Sequence, residues 1–116
     1  MATDGNQIPL RLAFGAHHAP KDAPLHIVRQ VESEAQALAV AILAGGHKLA
    51  YIAVCVGKSV AYVSRLQTGK RPIPDRLVGP LCAATGSNLL RQHQAMQRAL
   101  EGQSVAERLA DLLRAA

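Results

Sequence analysis

The sequence predicts an all-α fold, a compact bundle of five to six short helices. Three observations predict it. Apolar residues recur at intervals of three and four, the period of a helix face, and no stretch alternates apolar with polar as a half-buried strand does. Glycines and small capping residues cut the chain into segments of helix length. Aromatics are confined to Phe14, Tyr51 and Tyr62, so the core must be built from Leu, Val, Ile and Ala, which suit helix-on-helix packing. A chain of 116 residues, 49% of them hydrophobic, supplies one modest core.

Residues 1–24 carry Pro9, Pro20 and Pro24 and show weak periodicity, so they read as a flexible N-terminal arm with Ile8, Leu10, Leu12 and Phe14 as docking points. From Leu25 to Ala44 there is neither Gly nor Pro, and Val31, Ala35, Leu38 and Ile42 recur at helical spacing. Ser33 with Gln36 forms a capping box that splits this stretch into two helices. Gly45-Gly46 ends it. A helix fits Lys48 to Val56, and Gly57 breaks it. Ser59 is the N-cap of the next, which runs to about Gln67 and is closed by Gly69. Pro72 and Pro74 hold the chain extended. Asp75 caps a helix toward Thr85. Pro80 removes a hydrogen bond from its interior, so that helix either starts near Pro80 or kinks there. Gly86 ends it. Asn88 caps a helix with Leu89, His93, Met96 and Leu100 on one stripe, and Gly102 stops it. Ser104 and Glu107 make a capping box for a last helix, whose stripe is Val105, Leu109, Leu112 and Leu113. The organisation expected is an arm at 1–24, a domain at 25–88, and C-terminal helices at 89–116 that close the core or dimerise.

Charge narrows the function. From Gly45 to Pro74 there are five basic side chains, Lys48, Lys58, Arg65, Lys70 and Arg71, and no Asp or Glu. Outside that window eight basic and eight acidic residues cancel, so the formal charge of +5 lies inside it. A basic window free of acids suits a polyanion. The scarcity of aromatics argues against single strands, whose bases stack on such rings.

Other chemistries find little support. Gly57-Lys58-Ser59 looks like the end of a phosphate-binding loop, but the glycine required five residues earlier is Ile52, and the flanks are helical rather than strand-loop-helix. His17, His18, His26, His47 and His93 show no metal-ligand spacing with Cys or acids and read as surface residues, His93 interrupting an apolar stripe. No nucleophile, base and acid fall into a catalytic pattern. The expectation is therefore no enzyme, no cofactor and no metal. Cys55 and Cys82 lie in apolar stretches and read as buried or half-buried free thiols of a reducing cytoplasm. Met1 to Gln7 lacks a basic segment leading into an apolar run. The longest apolar stretch, Ala37 to Ala44, is too short to cross a bilayer. A cytoplasmic protein without a membrane partner is expected.

The decisive spacing is Ala53, Gly57, Val63 and Leu66. It fits a helix-turn-helix at about 48–67. A small alanine lets two helices cross closely, and the glycine adopts the left-handed conformation of a short turn. Val63 and Leu66, with Ile52 and Val56, face inward. Ser59, Val60, Ala61, Tyr62, Ser64 and Arg65 remain outward, available to a major groove.

The run Leu49-Ala50-Tyr51-Ile52-Ala53-Val54-Cys55-Val56-Gly57-Lys58-Ser59-Val60-Ala61-Tyr62-Val63-Ser64-Arg65-Leu66-Gln67-Thr68-Gly69-Lys70-Arg71 resembles the lambda-repressor-like (Cro-type) helix-turn-helix family. Val63-Ser64-Arg65-Leu66 followed by Gly69-Lys70-Arg71 is especially similar, and Leu81-Cys82-Ala83-Ala84-Thr85-Gly86 looks like that family's fourth helix. The resemblance spans roughly Leu38 to Asn88. It implies a double-stranded DNA partner, with Ser59, Val60, Ala61 and Arg65 at base edges. It implies phosphate contacts from Tyr62, Ser64, Thr68, Lys70 and Arg71, with Lys48 and Lys58 adding charge near helix starts. Arg65 is the main base reader, since arginine bonds two acceptors of guanine at once. Val60 and Ala61 offer only methyl contacts, so shape readout shares the work. Tyr62 reads equally as a packing residue. Two positions depart from the family: Leu49 replaces a frequent phosphate-binding Gln, and Lys48 replaces a small hydroxyl cap.

Tyr51, Val54 and Cys55 make the Lys48–Val56 helix apolar nearly all round, which calls for cover from the arm, the first helix or a second subunit. The resemblance implies a transcriptional regulator of the phage-repressor type, homodimeric through its C-terminal helices so that two copies read two half-sites. An antitoxin, a phage packaging or replication factor, and a protein-interaction module on the same fold remain as alternatives.

Overall fold

The computed structural model describes residues 19–115. The docking points assigned to Ile8, Leu10, Leu12 and Phe14 lie outside them. The described residues form six helices: α1 Leu25–Gln30, α2 Glu34–Gly45, α3 Leu49–Val56, α4 Val60–Gln67, α5 Asp75–Thr85 and α6 Leu89–Ala115. No strand occurs among them. The fold is all-α.

Asp75 is not the cap expected of it, because it is the first residue of α5 behind Pro74 and no side chain caps that helix, whereas the signals round α2 act as predicted. Ser33 is extended, and its Oγ accepts from the Gln36 amide at 3.0 Å, while Gln36 Oε1 reaches back to the Glu32 amide at 2.5 Å. This reciprocal pair separates α1 from α2. Gly46 closes α2 in the left-handed region, φ 71°. The axes of α2 and α3 then turn by 113°.

The core sits where α2, α3, α4 and α5 meet, and the start of α6 lies across it. Leu38, Ile52, Val63, Leu66, Leu81, Leu89 and Leu90 are fully buried in it. Truncating Ile52 or Leu66 to alanine costs about 2–5 kcal/mol at such sites. Glu34 Oε2 accepts from Gln94 Nε2 at 3.0 Å and ties α2 to α6. Helix α5 starts at Asp75 and continues through Pro80, which is exposed, to Thr85. A start near Pro80 is thus excluded. The proline ring stands in solvent.

The last residues of the expected arm are fastened. Lys21 donates its amide to the Gly86 carbonyl at 3.0 Å and accepts from the Asn88 amide at 2.8 Å. Asn88 Nδ2 donates to the Pro20 carbonyl at 3.2 Å and to Asp22 Oδ1 at 2.8 Å. Ala23 exchanges two hydrogen bonds with the Gln92 side chain. Residues 20–23 therefore form a strap over the start of α6. Asn88 spends its amide on that strap, and the Ser87 Oγ accepts from the first α6 amide, that of Leu89, at 3.1 Å.

Three expectations need correction. Gly102 does not stop a helix and Ser104 does not cap one: α6 runs unbroken for 27 residues, so not every helix is short. A single exposed glycine costs a helix only about 1 kcal/mol, and Gly102 stands in open space without a left-handed φ. His93 is not a surface residue; it is 3% exposed on the packed stripe of α6, and its Nδ1 has no hydrogen-bond partner. Cys55 is exposed, whereas Cys82 is buried, and both are free thiols.

Candidate nucleic-acid interface

The turn between α3 and α4 is built by Gly57. It has φ 71°, where a side chain would be strained, and no atom lies near enough to obstruct one. Its amide donates to Val54 O at 3.2 Å, and the Lys58 amide donates to Ala53 O at 3.0 Å. These paired bonds close α3 as a Schellman motif. Ser59 follows in extended conformation, and its Oγ accepts from the Tyr62 amide at 3.1 Å. Three residues thus separate the helices. Ala53 is 2% exposed within the packed region, and Val63 and Leu66 are fully buried, as the spacing requires. Val56 is half-buried rather than buried.

Of the residues expected at base edges, Ser59, Val60, Ala61 and Arg65 are all exposed on one side of α4. Val60 is 46% exposed, so an aliphatic methyl pair stands in water at the start of α4. Ser64 is half-buried, and its carbonyl accepts from the Thr68 hydroxyl at 3.0 Å. The Thr68 amide bonds the same carbonyl at 3.1 Å, so in this rotamer both donors of Thr68 are turned back on the helix.

The structure gathers three of the expected phosphate residues. Lys58 Nζ lies 5.2 Å from the centre of the Tyr62 ring, and Arg71 Cζ lies 5.0 Å from it. A ring face attracts cations at this distance. Tyr62 is half-buried and packed against the core, so its two readings coexist: the ring packs, and its exposed part carries the two cations. Lys58 belongs to the turn and Arg71 to the segment beyond α4. The chain reaches Arg71 because Gly69, φ 82°, reverses it and the Lys70 amide bonds Arg65 O at 3.0 Å. Lys70 is exposed in the same reversal. Lys48 stands apart, as the exposed N-cap residue of α3 without a side-chain cap bond.

The far side of α3 is open. Val54 is 67% exposed and Cys55 is exposed, so the first helix does not cover them. Tyr51 is partly buried, with the His47 ring tilted against it at 4.6 Å between centres. Burial raises the Tyr51 hydroxyl above its ordinary value, and a hydrogen bond with Cys55 adds to the rise. Burial likewise raises the Cys82 thiol, with Arg91 opposing the shift.

Comparisons with family models, with curated proteins and with solved structures find no match. The functional reading therefore rests on this geometry. Sequence reasoning did not find the strap made by Lys21, Asn88 and Gln92, because its hydrogen bonds join residues far apart in the chain and leave no periodic trace. It also did not anticipate that Lys58 and Arg71 share one ring. Their separation of thirteen residues becomes informative only once Gly57 and Gly69 are known to be reversals at the two ends of one helix.

Among the described residues, no single helix is long and apolar enough to cross a membrane. Nor do three or more His, Cys, Asp or Glu side chains gather where they would hold a metal ion.

Proposed function

We propose that this chain is a sequence-specific double-stranded DNA-binding protein, a transcriptional regulator of the lambda-repressor-like helix-turn-helix type that acts as a cytoplasmic homodimer. Helix α4 enters the major groove. Arg65 reads a guanine edge, Ser59 offers a hydroxyl, and Val60 with Ala61 contacts thymine methyls. Lys58, Tyr62, Arg71 and Lys70 hold the phosphate backbone on either side, and Lys48 adds attraction at the start of α3.

The observation that carries this reading is the convergence of Lys58 and Arg71 on Tyr62, beside an exposed helix face that bears Arg65. Two cations brought to one point from both ends of α4, with no acid between them in sequence, favour an anion over a neutral partner.

The salt dependence of duplex binding tests it. The four cations assigned to phosphates, Lys48, Lys58, Lys70 and Arg71, give a log–log slope of about −3 to −4 per subunit. A slope near zero removes DNA from the reading. One observation favours a second reading, a protein-interaction module: Val54 and Leu43 are 67% and 80% exposed, large apolar side chains that DNA would not use. Selection from random duplex pools separates the two, since enrichment of a palindrome supports the regulator and no enrichment supports the module.

A further inference from the structure

The distal half of α6 carries an apolar surface that the packed body does not use. Leu109, Leu112 and Leu113 are 56%, 67% and 77% exposed. Their position round the helix matters more than their exposure. At about 100° per residue, the line of Val105, Leu109 and Leu112 lies about 160° round the axis from the body-facing line of Leu89, His93 and Met96. The two halves of one continuous helix therefore present opposite faces. The body cannot cover the distal line, because it lies behind the helix. Followed toward the N-terminus, that line continues through Gly102, Arg98 and Ala95, all exposed on the outer side of α6.

We propose that this outer face pairs with the same face of a second copy, the two α6 helices lying antiparallel about a two-fold axis. The flanks of the stripe select this arrangement. On one flank stand Glu101 and Arg108, seven residues apart and therefore aligned along the helix. On the other stand Ala99, Ala106 and Ala110. In an antiparallel pair like flanks meet. Glu101 faces the partner's Arg108, Arg108 faces the partner's Glu101, and the alanine flanks allow close approach. In a parallel pair each charged flank would lie against alanines and both charges would go unanswered. At about 100° per residue Glu107 and Asp111 fall on the body-facing side, so Glu101 is the acid the distal outer face offers, and the partner's Arg108 is the cation placed to meet it.

The ionic register places the axis between Ser104 and Val105. From there to His93, the centre of the body-facing stripe, is about 17 Å at the helical rise, so the two bodies stand about 35 Å apart along the pair. Half-sites one turn apart on duplex DNA lie about 34–36 Å from each other. This spacing argument alone rests on the DNA-binding reading; the pairing stands without it.

Sedimentation equilibrium without DNA tests the pairing. The wild-type chain forms a dimer in the micromolar range. Leu109→Asp remains monomeric with an unchanged melt of the body, since Leu109 contributes nothing to the core. Arg108→Glu loosens the dimer about tenfold by setting like charges opposite each other twice. Adding Glu101→Arg to it recovers the wild-type constant within about threefold. A wild-type monomer at about 100 µM overturns the proposal and leaves the stripe to a different protein or a lipid surface. So does an Arg108→Glu variant that dimerises as tightly as wild type, or a double variant that fails to recover. Intact dimerisation with no salt-sensitive DNA binding would remove the proposed function while leaving the pairing in place.

Discussion

Gly45 lies against the backbone carbonyl of Thr85, so close that a methyl group on its α-carbon would overlap the oxygen. The contact brings the last turn of α2 onto the last turn of α5, just before Gly86 starts the connection to α6. Gly45→Ala forces backbone rather than a flexible side chain to move, and costs about 1–3 kcal/mol. Urea denaturation measures this. Gly57→Ala separates the two roles of glycine here, because its cost of about 1–2 kcal/mol comes from the left-handed conformation alone. If Gly45→Ala leaves stability unchanged, the two helix ends are not in contact.

Arg65 and Lys70 should fail differently on DNA. Arg65→Ala costs about 1–3 kcal/mol on the preferred site and relaxes the base preference at one position. Lys70→Ala weakens all duplexes about equally and lowers the magnitude of the salt slope by about one. Gel shifts against a site panel at several ionic strengths distinguish these outcomes. Equal losses from both variants on every sequence would remove Arg65 as a base reader.

His93 occupies a core position with an unpaired ring nitrogen. His93→Leu keeps the packing and removes the polar atom, and raises stability by about 1–2 kcal/mol. A rise in melting temperature is the expected result. A fall would show that Nδ1 has a partner, such as an internal water, that the leucine displaces.

The two thiols should react at different rates. Cys55 is exposed and titrates promptly with a thiol reagent, while Cys82 is shielded until the chain opens. The raised Cys82 value also has a stability consequence. Its neutral form is favoured in the fold, so the contribution is complete below the ordinary thiol value of 9.0 and is lost as pH rises through the higher folded value. Denaturation of Cys82→Ser and wild type between pH 7 and pH 11 measures it: the wild type shows an alkaline loss that the variant lacks. Parallel curves would contradict the assignment.

The elements legible in the sequence are those whose ends carry their own chemistry. Ser33 with Gln36, Gly57 and Ser59 each bond backbone groups within a few residues, so a short window contains the whole interaction. Gly102 and Ser104 looked like the same signals and were not. A capping serine works only when the chain leaves the helical region before it, and an isolated glycine does not force that exit. His93 shows the opposite case, in which position prevailed over residue type: its place between Leu89 and Met96 on the packed stripe buries it despite its polarity. The candidate site divides in the same way. Which residues of α4 face outward follows from helical period, whereas the meeting of Lys58 with Arg71 depends on two chain reversals and on Tyr62 lying between them.

The unbroken passage of α6 through Gly102 turns chain length into an angular quantity. No loop absorbs an insertion between Leu100 and Val105. One added residue would rotate everything beyond it by about 100° and advance it about 1.5 Å, whereas seven would return the distal side chains to within about 20° of their original bearing. Relatives of this chain should therefore tolerate length changes in that stretch in steps near whole turns and reject single-residue ones, although every residue concerned lies in solvent and touches nothing in the core.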